Sequence, residues 1–321
     1  MLADNRRTLG FLITAVLPMM ACGRTTLTTT GSVRTTETAA GGMVTSGVAT
    51  GGTVTSSVAS GGTVTGGVAT TGTSSGGAPT PGADCTAAAD AGSCPGTGGP
   101  CMVRLPEGYC IDSTEVTRAQ YQAWLDTNPS TANQIADCAW NTSFTPDFPC
   151  GVYNYVCQTD CANHPRACVD WCDAYAYCQA VGKRLCGRIG GGSNAFDDYD
   201  RRDLSQWYSA CSSHGTFEYC YGNTADDQVC WGPNHPYTSL MTVPVGSMSG
   251  CQSPLPAYAG VFDLSGNVSE WEDSCNGPGE SAKCRVRGGA GASGSLTCAS
   301  DSAPPRSYID YMIGFRCCSS P

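Results

Sequence analysis

The sequence predicts an α+β domain, loop-rich and disulfide-rich, standing behind a disordered stalk. Three observations predict it. Two stretches with helical periodicity and capping residues are set among short apolar runs broken by Gly, Pro, Asn and Asp. The chain carries 22 cysteines, none of them spaced Cys-x-x-Cys. Residues 24–83 contain no aromatic side chain and only three charges, Arg24, Arg34 and Glu37.

At the N-terminus, "MLADNRRTLGFLITAVLPMMAC" has a basic start (Arg6, Arg7) and an apolar run from Leu9 to Ala21. Residues 1–21 are therefore read as a signal peptide, too short to span a bilayer. Met19-Met20-Ala21-Cys22 resembles a bacterial lipoprotein cleavage box, with Met at a position where Leu is commoner. Cleavage there would leave Cys22 lipidated and the mature chain tethered to a membrane. The alternative is a plain secreted protein without the anchor. Residues 22–83 then form the stalk, a degenerate Gly-Gly-x-Val-x repeat rich in Thr and Ser. Such a segment cannot bury enough apolar surface to offset its chain entropy. A coil of this length would hold its cargo roughly 40–50 Å from the anchor.

A Cys-rich leader over 84–104 precedes the main domain, 105–321. Beyond the stalk the chain holds 13 of the 17 Lys and Arg and 25 of the 27 Asp and Glu, a net charge of −12. That surface repels phosphate backbones and excludes nucleic acid as a partner. Dense cysteine in an exported chain signals a disulfide framework, and no Cys-x-x-Cys pair suggests a zinc ribbon or redox centre. Twenty-one cysteines follow Cys22, so at least one thiol should be free, paired between chains or bound to metal. Cys275 and Cys284 are a plausible local pair, and adjacent Cys317 and Cys318 must take different partners.

"EVTRAQYQAWLDT" predicts a helix with Thr117 and Gln120 as a capping box. "VDWCDAYAYCQAVG" predicts a second, N-capped by Asp170 and ended at Gly182. "DLSQWYSAC" predicts a third, shorter one. One loop has an independent chemical signal. Asp263, Ser265, Asn267 and Glu270 place oxygen donors at offsets 0, 2, 4 and 7 in a Gly-containing turn, the pattern a hard cation such as calcium requires. An Asx-rich turn without an ion is the alternative.

Four stretches together resemble the formylglycine-generating enzyme, or sulfatase-modifying factor, family. They are "GYCIDSTEVTRAQYQAWL", "CVDWCDAYAYCQAVGKRLC", "GVFDLSGNVSEW" and "RVRGGA" with the terminal "GFRC", in the family's order over roughly residues 105–318. The resemblance implies a fold related to C-type lectins, with calcium bound through Asp263, Asn267 and Glu270 side chains and the Ser265 carbonyl. "YGNTADDQ", with Asn223, Asp226 and Asp227, is a candidate for a second calcium site. Active members hold Cu(I) between two cysteines five residues apart. Counting from Arg287-Gly288-Gly289, the first position is Ser293 and the second is Cys298. A hydroxyl is a poor ligand for a soft ion, which makes copper doubtful and predicts Cys298 as half of a disulfide. Ala290 stands where the family has a substrate-site serine, Thr297 where active members have tyrosine, and Ser269 where many have tryptophan.

Other chemistries lack a source. The three histidines, His164, His214 and His235, are far apart in sequence. "GRIGGG" lacks the Lys-Ser/Thr of a phosphate loop, and no Gly-x-Ser-x-Gly elbow follows a predicted strand. Arg201 and Arg202 sit in a solvated charged turn. The expected function is that of an extracytoplasmic, non-catalytic or divergent family member binding a peptide or glycan. The alternative is an active oxidase converting a sulfatase cysteine to formylglycine, with Cys298 as its remaining catalytic thiol. A third option is a disulfide-hardened envelope component without a ligand. The expected location is the cell envelope, with membrane contact through the lipid anchor only.

Overall fold

Thr117 opens the first helix, α1 (Arg118–Leu125), through a complete capping box. Its hydroxyl accepts from the Gln120 N–H, and the Gln120 side chain accepts from the Thr117 N–H. Asp170 does the same for α2 (Trp171–Ala180) with Asp173 as the reciprocal partner, and Gly182 follows the helix end at φ +72°. Ser205 caps α3 (Gln206–Ser212). The computed structural model describes residues 94–95, 98–146, 157, 161–235, 242–291 and 294–320. The signal peptide, Cys22, the stalk, the first part of the leader and Ser293 lie outside the described residues. The chain divides into two units, Met1–Thr71 and Gly72–Pro321, and every described residue belongs to the second.

Among the described residues, eight short strands form two four-stranded sheets. In chain order they are β1 (Met102–Arg104), β2 (Cys110–Asp112), β3 (Arg184–Leu185), β4 (Ser269–Cys275), β5 (Cys284–Arg287), β6 (Asp301–Ser302), β7 (Ile313–Phe315) and β8 (Cys317–Ser319). The first sheet runs β1-β2-β8-β3, with every pair antiparallel. The second runs β6-β5-β4-β7, antiparallel except for β4 beside β7. The end of the leader is thus a strand of the domain: Met102–Arg104 pair with Asp112–Cys110.

Successive strand residues face opposite ways, and β8 uses this covalently. Cys317 faces the core built on Tyr121, Tyr177, Trp271 and Phe315, and bonds Cys178 of α2. Cys318 faces the other core, around Tyr109, Trp207 and Leu264, and bonds Cys186. These bridges close intervals of 139 and 132 residues, where loop entropy makes a cross-link worth roughly 4–5 kcal/mol. Cys275–Cys284 staples the β4–β5 turn as expected. Among the described cysteines only Cys220 is outside a disulfide.

Between β7 and β8 stands Arg316, fully buried. Its Nε and Nη2 donate to the two oxygens of Glu270, each at 2.7 Å. Nη1 donates to the Asp112 carbonyl (3.1 Å), and Nη2 also donates to the Phe262 carbonyl (2.8 Å). One guanidinium therefore joins β2, β4 and the 262 loop. Replacing it with an apolar side chain leaves the Glu270 carboxylate buried without its countercharge. We expect Arg316→Met to cost about 3–5 kcal/mol, read as a lower urea midpoint of the oxidised protein. A loss below about 1 kcal/mol, the size of an ordinary substitution, would show that Arg316 is not the central tie.

Candidate functional site

The segment from Arg285 to Cys298 is shaped by two arginines. Arg285 lies over the rings of Phe196 (3.9 Å) and Tyr199 (4.1 Å) and pairs with Asp301. Arg287 is fully buried and reaches further. It pairs with Glu272 at 3.1 Å and donates to the carbonyls of Tyr199 (2.6 Å), Cys298 (2.7 Å) and Ser300 (3.3 Å). Glu272, its partner, also accepts from the Ser205 hydroxyl at 2.6 Å. The two glycines that follow have to be glycines. Gly288 has φ +87°, and a Cβ there would stand 2.9 Å from the Leu264 carbonyl oxygen. Gly289 has φ +67°, and a Cβ would stand 2.5 Å from the Ser295 carbonyl oxygen.

On one side of this segment lies a cleft of about 430 Å³. Ser269, Val286, Ala290, Ser302, Ala303, Pro304, Tyr308, Asp310, Met312 and Ile313 line it. Its polar groups are hydroxyls and one carboxylate. The Tyr308 hydroxyl donates to Asp310 Oδ2 at 3.2 Å, and Asp310 Oδ1 accepts the Met312 N–H at 2.8 Å. The nearby Asp310 charge and partial burial push the Tyr308 phenol up. No cysteine or histidine is among the described lining residues. Cys298 is absent from this wall because its sulfur is bonded to Cys211 of α3, where it is buried beneath Leu264 and Trp207.

The family model described as "Sulfatase-modifying factor enzyme 1-like domain" matches residues 55–321. The chain belongs to this family. Three solved structures are similar to it. The crystal structure of CarF is 21% identical, covering 66% of this chain and 86% of that one, with a TM-score of 0.45. Variable protein 1 of Treponema denticola is 20% identical over 66% and 84% of the two chains, TM-score 0.41. PvdO from Pseudomonas aeruginosa is 16% identical over 66% and 80%, TM-score 0.43. No curated protein matches.

Within the sulfatase-modifying factor frame, the cleft carries Ser269 and Ala290, two positions at which the sequence departs from the expected residues. Ser293, at the expected first copper position, lies outside the described residues. The sequence signal for Cys298 pointed to a disulfide but could not name its partner, which lies 87 residues earlier.

Each of the four residues Asp263, Ser265, Asn267 and Glu270 has a hydrogen-bond partner within the protein. Glu270 is taken on both oxygens by Arg316, and its Oε2 also accepts the Trp207 indole N–H at 2.9 Å. Asn267 Oδ1 accepts the Val243 N–H at 3.0 Å, and Ser265 Oγ accepts the Cys220 N–H at 3.1 Å. Asp263 Oδ2 accepts the Gly246 N–H at 2.5 Å, while its Oδ1 is buried with no hydrogen-bond partner. A cation bound by Glu270 would have to share that carboxylate with the Arg316 guanidinium. The unmet negative charge lies elsewhere. Both oxygens of buried Glu115 also lack partners, and burial followed by repulsion from Asp263 pushes its carboxyl well above the usual range. Burial likewise pushes Asp263 up to about 6. Glu115 opens the stretch "EVTRAQYQAWLDT", but nothing in its spacing indicated that it would face Asp263.

The remaining candidates are local structure. In the second candidate calcium loop Asn223 Oδ1 accepts the Glu218 N–H, Asp226 Oδ1 accepts the Gln228 N–H, and Asp227 is exposed. His164 contacts the Thr242 hydroxyl, His214 lies between Glu107 and Asp203, and His235 packs on Trp231. They make no common site. Thiol labelling checks this sulfur chemistry. In the non-reduced chain a thiol reagent should modify Cys220 only after unfolding and should not modify Cys298. Labelling of Cys298 would break the disulfide assignment.

Proposed function

We propose that this chain is a non-catalytic sulfatase-modifying factor domain that binds an extracytoplasmic peptide or glycan in the cleft beside Ala290. The single observation behind this reading is the Cys211–Cys298 disulfide, which leaves the cleft without a thiolate. Cu(I) selects soft sulfur ligands, and a sulfur already bonded to sulfur cannot serve. What the cleft offers instead is hydroxyls, one carboxylate and apolar walls, a set suited to hydrogen bonding and packing. The disulfide framework supports an oxidising compartment outside the cytoplasm. The lipid anchor at Cys22 and the spacing stalk belong to this proposal as its means of presentation.

The second reading, an active oxidase, draws on family membership. The two are separated by incubating the oxidised full chain with Cu(I), oxygen and a cysteine-bearing sulfatase peptide. The expected result is no mass loss corresponding to aldehyde formation. Turnover abolished by Cys298→Ser would replace the proposal with the oxidase.

Calcium enters through Asp263 and Glu115 rather than the loop as a whole. Three buried carboxylate oxygens without donors can be met by a divalent cation or by protons. With calcium bound, a chelator should lower the melting temperature, and Asp263→Ala or Glu115→Gln should remove that response. An unchanged melting curve on chelation would assign protons to the pair.

A further inference from the structure

Beneath Ser265 three loops bring three sulfurs together. Cys220 lies in the turn bridged between Tyr219 and Gly222, Cys230 follows Val229, and Cys251 ends a turn whose carbonyl accepts the Asp263 N–H. Among the described residues, this is the one group of three or more His, Cys, Asp or Glu side chains whose ligand atoms gather closely, all within 4.8 Å of one another. Each of the three is buried. Cys230 and Cys251 are bonded, and the Cys220 sulfur stands 3.8 Å from both.

That equidistance decides between two chemistries. Disulfide exchange needs the attacking thiolate on the line beyond the bond it breaks. Cys220 stands to the side of the bond, level with both ends, which is a poor position for displacement. It is a good position for sharing a central ion. Once the Cys230–Cys251 bond is broken and its sulfurs separate to the 3.8 Å at which Cys220 stands from each, the three would share a centre about 2.2 Å away, close to the ~2.3 Å of a zinc–thiolate bond.

We propose that Cys220, Cys230 and Cys251 form a three-thiolate site for a soft d10 cation, Cu(I) first, whenever the Cys230–Cys251 bond is reduced. Thiolates select such ions over calcium or magnesium. The count of three favours Cu(I) over zinc, which prefers four ligands. Ser265 Oγ accepts the Cys220 N–H at 3.1 Å, and its own hydroxyl proton is turned toward sulfur rather than offering a fourth ligand. Burial pushes the Cys220 thiol up to about 12, with Asp263 adding to the rise and the Ser265 hydroxyl and Arg316 opposing it, so the metal must displace the proton.

The steps balance. A dithiol reductant gives two electrons and two protons to the Cys230–Cys251 bond and itself becomes a cyclic disulfide, leaving two thiols. Cu(I) then displaces three thiol protons without changing oxidation state. Disulfide and metal exclude one another, so the redox poise of the compartment decides which is present. This site does not involve Cys298 or the cleft, and it stands whether or not the cleft binds a ligand.

The test uses the full chain under anaerobic conditions, wild type beside Cys220→Ser. A dithiol is added in steps until peptide mapping finds Cys230 and Cys251 as thiols. Cu(I) is then titrated against a competing Cu(I) chelator. Wild type should hold one more Cu(I) than the variant, or hold it at least about tenfold more tightly, since even outer-shell losses cost that much. Bound Cu(I) should protect Cys220, Cys230 and Cys251 together from alkylation. Equal uptake by both chains, or protection that omits any of the three, overturns the proposal. Should Cys220→Ser fail to fold, the alkylation pattern of the wild-type chain decides alone.

Discussion

The buried pairing of Arg316 with Glu270 is the interaction on which the rest of the domain depends. It stands where the two sheets meet, with β7 before it and β8 after it, and its remaining donors hold carbonyls of β2 and the 262 loop. Taking both charges out of water is costly, and only a bidentate geometry with every guanidinium nitrogen hydrogen-bonded makes the pair sustainable. Arg316 meets that condition. Arg287 with Glu272 repeats the device one strand over, fixing the carbonyls of Tyr199, Cys298 and Ser300. In a fold with so little regular structure, these two guanidinium groups do the positioning that longer strands and helices do elsewhere.

The same economy explains why the cleft exists and what it lacks. Arg287 and the two obligate glycines bend the chain sharply at the cleft's edge, and the Cys211–Cys298 bond anchors the far end of the segment to α3. A sulfur drawn into the core for anchoring is withdrawn from the surface. Structure and chemistry compete for one atom here, and the disulfide has taken it. The scaffold around the family's reactive segment is kept, while its accessible side chains are serine, alanine, tyrosine and aspartate.

Local features were legible in the sequence because their causes are local. The capping boxes at Thr117 and Asp170 and the Cys275–Cys284 staple depend on residues within a turn or a hairpin. Arg-Gly-Gly marked the segment that shapes the cleft. The surroundings of the calcium pattern were not legible, for the opposite reason. Its offsets were right for a ligand loop, yet Glu270 is claimed by Arg316, 46 residues later. The facing of Glu115 and Asp263, and the meeting of Cys220 with Cys230 and Cys251, likewise arise from chain paths that no spacing rule encodes. Alternation along β8 was readable only as the statement that Cys317 and Cys318 need different partners. That they lock two cores on opposite faces of one sheet required the register.

The place of β8 has a consequence for how the molecule comes into being. This strand is described near residue 320, yet it occupies an interior position in its sheet, between β2 and β3. Its two cysteines close bridges begun more than 130 residues earlier. Until residues 316–319 arrive, β2 and β3 have no neighbour in common, Glu270 has no countercharge, and neither core is sealed. The two cores therefore cannot be completed progressively as the chain is synthesised. Cys178 and Cys186 must wait for Cys317 and Cys318, and both cores are sealed by the same short strand.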